Sequence, residues 1–184
     1  MSAKDTNLGC KGSCGGETEK PLWLIRAEKF LDSLKDVRWF GGHGEPKPNW
    51  KVFNSREEAA FAALEAAGGV CGDEAWTAIG KAAVKAVRKA GRIEALCAIE
   101  NVVREVAGDA AWDVAREEDS ALAEAAADDA AGDAALAARI EGTSDLEIPE
   151  ELRRYVRERW EVWKSGYGLV GVVNGVFFCY RKVA

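Results

Sequence analysis

The sequence predicts a mostly helical α+β protein in which an alanine-rich helical bundle is inserted between an N-terminal and a C-terminal β-hairpin that form a small antiparallel sheet. Short aromatic and β-branched runs flank turn-forming residues near both ends of the chain. Between those runs, apolar residues recur at helical spacing. With 184 residues, 48% of them hydrophobic, the chain is long enough to bury a substantial core.

The composition of the sequence changes at about residue 20. Residues 1–20 are mostly polar and glycine-containing, so they offer little apolar surface to offset the entropy lost on ordering. We expect a mobile tail over 1–20 and a single domain over 21–184. A first helix is predicted near 21–35, where large apolar residues return every three to four positions.

Two short runs after this helix predict the N-terminal hairpin. Residues 37–40 and 50–53 are aromatic and β-branched, and a loop rich in Gly and Pro separates them. Trp39 and Trp50 are expected to face each other across the two strands. The single histidine, His43, lies in the loop and is expected to be exposed to solvent.

Helix signals fill the middle of the chain. Ser55 and Glu58 form a capping box that starts a helix running to about Ala67. The other predicted helices cover 73–90, 92–106, 109–140 with Gly132 as a break, and 149–164. A recurring Gly-Asp-x-Ala at 72, 108 and 132 is interpreted as a joint at which one helix ends and the next begins. Four tryptophans are expected to fill gaps on the apolar faces of these helices: Trp76, Trp112, Trp160 and Trp163.

Asn174-Gly175 is a strong hairpin signal, because this dipeptide suits the positive φ angles of a type I′ turn. The flanking runs, 169–173 and 176–183, are apolar on both faces in part. We therefore expect one face to be covered and one edge to pair with the N-terminal hairpin.

Composition narrows the possible functions. The formal net charge is -6 and there is one His, so neither general attraction to nucleic acid nor the usual imidazole-based catalytic and metal sites are supported. No secretory apolar region and no run long enough to span a membrane are present in the sequence. The expectation is a cytoplasmic protein that is neither an enzyme nor a membrane protein, and for which nucleic acid is an unlikely partner.

The leading hypothesis is a non-enzymatic protein-interaction module with an acidic helical face. Residues 109–133 carry nine acidic side chains and one basic side chain. Four of the acidic residues fall on one predicted helical face: Asp113, Glu117, Glu124 and Asp128. Such a face keeps an alanine-rich bundle in solution, and its field can also steer a basic protein partner.

The alternative is a small redox or metal-binding protein that uses Cys10 and Cys14. Two thiols four positions apart in a glycine-rich segment can bind a soft metal ion or form a reversible disulfide. No second Cys pair or His pair in the sequence completes a four-ligand site, so no other cofactor is predicted. Cys71, Cys97 and Cys179 have apolar neighbours and are expected in the core.

A weaker alternative is an anionic-ligand or nucleic-acid binder. Five cations follow one another without an intervening acid, and their spacing puts most of them on one helix face: Lys81, Lys85, Arg88, Lys89 and Arg92. A further resemblance concerns Gly-Asp-Ala-Ala-Trp-Asp-Val-Ala, which begins at Gly108. Over about 108–138 the chain resembles, in composition, the Ala/Trp-rich helices of some bacterial immunity proteins, which adds an immunity-type role to the alternatives without assigning a role to any residue.

Overall fold

The computed structural model of the chain describes residues 19–69, 74–116 and 120–181. These residues form six α-helices and a small three-stranded sheet, which confirms the predicted mostly helical α+β class. The helices are α1 (Leu22–Ser33), α2 (Arg56–Ala66), α3 (Glu74–Lys89), α4 (Ile93–Ala115), α5 (Ser120–Gly142) and α6 (Glu150–Lys164). The strands are β1 (Trp50–Phe53), β2 (Gly168–Val173) and β3 (Val176–Tyr180). No helix of the described ranges is long and apolar enough to cross a membrane.

The C-terminal hairpin is confirmed. β2 and β3 pair antiparallel, and the turn between them uses Asn174 at φ 51° and Gly175 at φ 78°. Positive φ at both central residues is the geometry that gives a two-residue turn the twist of its strands. An irregularity in the register between Leu169 and Gly171 is the one departure from regular pairing in this hairpin.

The predicted N-terminal hairpin is wrong, and so is the fully antiparallel sheet. β1 pairs parallel with β3, so the strand order is β1-β3-β2 and the sheet is mixed. Residues 38–41 form a turn instead of a strand. Phe40 has φ 54°, a left-handed conformation that an extended strand excludes, and its ring is buried. Trp39 and Trp50 therefore do not face each other.

The rings of residues 39 and 40 belong to an aromatic cluster that joins the chain after α1 to α6 and β3. Ring centroids lie 5.9 Å apart for Trp39 and Trp163, and 5.6 Å apart for Phe40 and Tyr180. Edge-on and tilted ring contacts at this spacing are favourable beyond the area they bury. The aromatic cluster consists of Phe30, Trp39, Phe40, Trp160, Trp163 and Tyr180.

The predicted break at Gly132 and the Gly-Asp joint at 108 are also wrong, because both glycines lie inside long helices. At Gly108 an added Cβ would lie 3.6 Å from the Ala131 Cβ and 3.9 Å from the Ala127 backbone oxygen. The glycine lets α4 and α5 approach closely, and the packing outweighs its low helix propensity. The copy of the pattern that begins at Gly72 starts outside the described residues.

We call the contact between α4 and α5 the alanine seam. Most side chains that the two helices bury against each other end at Cβ. The buried small residues are Ala107, Ala111 and Ala115 of α4 and Ala123, Ala126, Ala130 and Ala134 of α5. The seam and the aromatic cluster belong to one continuous core.

Both ends of α2 follow the local sequence signals that predicted them. The Ser55 hydroxyl accepts a hydrogen bond from the Glu58 backbone N–H at 3.2 Å, which confirms the predicted cap of α2. The Glu58 carboxylate accepts from the Asn54 N–H at 3.1 Å, one residue before the expected donor. Gly68 and Gly69 end α2 with positive φ angles.

Candidate functional site

The acidic stretch of α5 is divided between the surface and the interior. Glu124 and Asp128 are exposed, as the acidic face requires. Asp129 is half-buried, and Asp133 is 2% exposed. Asp129 and Asp133, which are not among the four residues predicted for the acidic face, point toward cations on other helices.

Asp133 joins α5 to α6 inside the core. Its Oδ1 accepts from the Arg159 Nε at 2.8 Å, and its Oδ2 accepts from the Trp163 indole Nε1 at 2.7 Å. The Arg159 guanidinium also stacks over the Trp76 ring, 4.4 Å from the centroid. A buried carboxylate needs such partners, because an unpaired charge in the interior is strongly unfavourable. The sequence pattern did not reveal this role, since helical spacing leaves Asp133 off the acidic face but does not show that Arg159 and Trp163 lie opposite it.

Asp129 joins α5 to the start of α2. Its Oδ2 accepts from Arg56 Nη2 at 2.8 Å and from Arg56 Nε at 3.2 Å. Burial raises the pKa of the Asp129 carboxyl to about 6, and the Arg56 guanidinium opposes part of that rise. This group therefore titrates closer to neutral pH than an ordinary carboxyl.

The residues predicted for protein binding lie on two adjacent helices. Asp113 is exposed on α4, where it pairs with Arg116 at 3.4 Å, and Glu124 and Asp128 are exposed on α5. The antiparallel register of the alanine seam places Asp113 near the level of Glu124 along the pair. Glu117 lies outside the described residues.

Asp113 shares its side of α4 with exposed apolar residues that the acidic pattern alone did not reveal. Exposure is 44% for Val102, 41% for Val106 and 38% for Trp112. The prediction that Trp112 packs inside is wrong, because α5 covers the opposite side of α4. We define the outer face of α4 as Val102, Glu105, Val106, Asp109, Trp112 and Asp113, all of them exposed.

These six positions follow two neighbouring rows of the helix. Val102, Val106, Asp109 and Asp113 are separated by four, three and four residues, which places them along one row. Glu105 and Trp112 lie on the next row. The result is a surface on which three apolar side chains alternate with three carboxylates, of which Asp113 has Arg116 beside it.

The predicted basic face is smaller than the sequence suggested. Lys81, Lys85, Arg88 and Lys89 are exposed on α3. Arg92 does not join them, because it donates to both carboxylate oxygens of Asp145 at 2.8 Å and its guanidinium lies over the Trp23 ring. The Arg92 side chain is therefore neutralised within the protein and holds the end of α3 to the segment after α5.

The cysteines give mixed outcomes. Cys10, Cys14 and Cys71 lie outside the described residues. Cys179 is buried in β3, as predicted, and burial raises the pKa of its thiol to about 12. Cys97 is exposed on α4, so the expectation that it lies in the core is wrong. Within the described ranges, no three His, Cys, Asp or Glu side chains lie close enough together to hold a metal ion.

No protein-family model matches the chain, and no curated protein or solved structure is significantly similar to it. The comparisons therefore supply neither a fold relative nor a site to transfer.

Proposed function

We propose that this chain is a non-enzymatic protein-interaction module that binds its partner through the outer face of α4. The observation that carries the proposal is the exposure of Trp112, Val102 and Val106 on one side of a helix that also carries acidic side chains. Tryptophan is strongly enriched among the residues that dominate binding energy at protein interfaces.

The partner is expected to present both apolar and basic side chains. Glu105, Asp109 and Asp113 alternate with the three apolar residues along α4, and Glu124 and Asp128 add acidic charge on the neighbouring helix α5. Complementary charges accelerate the encounter of the two proteins and fix their relative orientation, while burial of the exposed apolar residues supplies affinity. The proposal adds three exposed apolar residues to the acidic face predicted from the sequence and assigns the contact to α4.

The exposed apolar pair on α2 is the competing surface. Phe61 and Leu64 are 72% and 40% exposed, and Glu57 and Glu65 lie one turn to either side of Phe61. The outer face of α4 is favoured because it is longer and includes a tryptophan. A useful experiment must compare the two helices directly.

Site-specific photocrosslinking makes that comparison. A benzophenone amino acid is placed at Val106, at Phe61 or at Lys85 in the full chain, and the adducts formed in native cells are resolved by mass spectrometry. The proposal predicts a discrete adduct from position 106 that is absent from 61 and 85. An adduct from position 61 alone would move the interface to α2, and adducts of equal yield from all three positions would contradict a specific surface.

Charge and thiol variants then test the chemistry of the contact. Asp109→Asn/Asp113→Asn and Glu124→Gln/Asp128→Asn should each lower the adduct yield from position 106, and added salt should lower it further. Glu57→Gln/Glu65→Gln is the matched control on α2 and should leave the yield unchanged. Cys10→Ser/Cys14→Ser should also leave it unchanged, whereas loss of the adduct in this variant would favour the redox or metal alternative.

A further inference from the structure

A cavity of about 480 Å³ lies between α1, the C-terminal part of α5 and α6. It shares no lining residue with α4, so it is separate from the proposed interaction surface. The volume falls within the roughly 300–1,000 Å³ range of small-molecule sites in proteins.

The floor of the cavity is apolar and rigid. Phe30 and Trp160 line it, with ring centroids 5.3 Å apart and planes tilted by 48°. Ile140 and Val156 complete the floor, and all four side chains are held in the core. Such a surface favours an apolar body that can displace water from the rings and branched side chains.

The rim of the cavity is positively charged, in contrast to the chain as a whole. Four cations and two carboxylates line it, which gives a local charge of +2 in a protein whose formal net charge is -6. The cations are Arg26, Lys29, Arg157 and Lys164, and the carboxylates are Glu141 and Glu161. Lys164 is paired with Glu161, and Arg157 with Glu150 at 2.8 Å.

Two rim cations form no ion pair within the described residues. Arg26 donates to the neutral hydroxyl of Ser144, and the nearby Asp145 carboxylate, which is paired with Arg92, offsets only part of its charge. Lys29 is exposed, and no ion pair involves it within the described part of the chain. A cation beside an apolar cavity attracts an anion more strongly than it would in open solvent, because the cavity walls reduce screening.

We propose that this cavity binds a small amphipathic anion, with its apolar body against Phe30 and Trp160 and its carboxylate or phosphate head at Lys29 and Arg26. The apolar floor supplies affinity for the body, and the rim selects the sign of the head. The proposal rests on the cavity alone and does not depend on the function proposed for α4.

Four eight-carbon probes separate these contributions: octanoate, octyl phosphate, octan-1-ol and octylammonium. Each is titrated into the ¹⁵N-labelled full chain, and the indole N–H resonance of Trp160 is followed together with the backbone resonances of α1 and α6. Octanoate should bind at least about tenfold more tightly than octan-1-ol, and octylammonium should be weaker still. The ratio of octanoate to octyl phosphate affinity identifies which head group the rim prefers. The affinity for inorganic phosphate, which has no apolar chain, measures the contribution of a phosphate head group alone.

Two single-charge variants should move octanoate affinity in opposite directions. Lys29→Gln should weaken binding by about threefold to tenfold, and Glu141→Gln should strengthen it by about threefold, because each changes the rim charge by one unit. Lys35→Gln, a lysine outside the cavity, is the matched control and should have no effect. Arg26→Gln is a second rim variant and, like Lys29→Gln, should weaken octanoate binding.

Several outcomes would overturn the proposal. Equal affinity for octanoate and octan-1-ol would show an apolar gap without head-group selection. Resonance shifts outside α1, α5 and α6 would place binding elsewhere. Equal effects of Lys29→Gln and Lys35→Gln would reduce the charge dependence to a property of the whole protein.

Discussion

The alanine seam and the aromatic cluster occupy one core but are stabilised in opposite ways. In the seam, the helices approach closely because the side chains are small. A Cβ added at Gly108 would lie within 4 Å of α5 atoms. In the aromatic cluster, large rings span wider gaps and contact one another at centroid distances of 5.3–6.0 Å. Enlarging a side chain should therefore be the costly change in the seam, whereas truncating a ring should be the costly change in the cluster.

The largest effect is expected from removing a ring of the cluster. Trp163 is 0% exposed and its indole N–H donates to Asp133, so Trp163→Ala should lower the free energy of unfolding by about 4 kcal/mol. Trp112→Ala is the matched control at a 38% exposed site and should cost less than about 1 kcal/mol. Urea denaturation of the two variants measures both values, and a similar cost for each would contradict the burial assigned to them.

The second largest effect on stability is expected from the Asp133–Arg159 ion pair, which joins α5 to α6. Asp133→Ala removes the carboxylate partner of a buried guanidinium and should cost about 3 kcal/mol. Adding Arg159→Met removes the buried charge as well, so the double variant should recover much of the loss. Chemical denaturation of the single and double variants tests this, and a double variant as unstable as the sum of both single variants would show that the charges are not coupled.

A smaller effect is expected where the small-residue packing is enlarged. Gly142→Ala places a Cβ 2.5 Å from the Leu96 Cδ2 and 3.5 Å from the Ala27 Cβ, so a net loss of about 1–2 kcal/mol is expected. Gly80 lies in α3 with nothing within 4 Å of an added Cβ. Gly80→Ala should therefore stabilise the protein by about 0.5–1 kcal/mol through helix propensity alone. Thermal unfolding should show shifts of opposite sign, and a shared sign would refute the close approach at Gly142.

The last prediction concerns the pH dependence of stability. The folded-state pKa of Asp129 is about 6, above its ordinary value of 3.8, so the folded protein binds this proton more tightly than the unfolded chain does. Its contribution to stability is full below about pH 3.8 and is lost as the pH rises through about 6. Asp129→Asn should remove that dependence, and Asp128→Asn, at the exposed neighbouring position, should keep it. Denaturation midpoints at pH 5.0 and 7.5 provide the measurement, and parallel changes in both variants would exclude Asp129 as the cause.

Sequence patterns identified the elements whose signals are local. Ser55 predicted the start of α2, and Asn174-Gly175 predicted the C-terminal hairpin, because each depends on hydrogen bonds or dihedral angles of nearby residues. The partner of β1 was not predictable in the same way, since Trp50 pairs with Phe177 across most of the chain. A strand-like run specifies an extended backbone but not its partner or its direction.

The candidate site shows the same limit. The acidic character of 109–133 was visible in the sequence, and the exposure of Asp113, Glu124 and Asp128 agrees with it. Helical spacing left Asp133 off the predicted acidic face but could not show that it is buried, because burial depends on where α6 packs against α5. Trp112 was misplaced for a related reason: an apolar residue on a helix is assigned to the core unless the position of the covering helix is known.

The order of strands in the sheet has a consequence for synthesis of the protein. β1 and β2 are the outer strands, and in the part of the chain that the structure describes each pairs with β3, which follows both in sequence. A nascent polypeptide that ends before Val176 therefore contains both outer strands without the strand between them. Folding of the sheet must wait until translation has passed Tyr180, and the long loop closure that joins β1 to β3 should make this the slow step. Until then, β1 exposes backbone hydrogen-bonding groups that a chaperone or a second nascent chain can pair with.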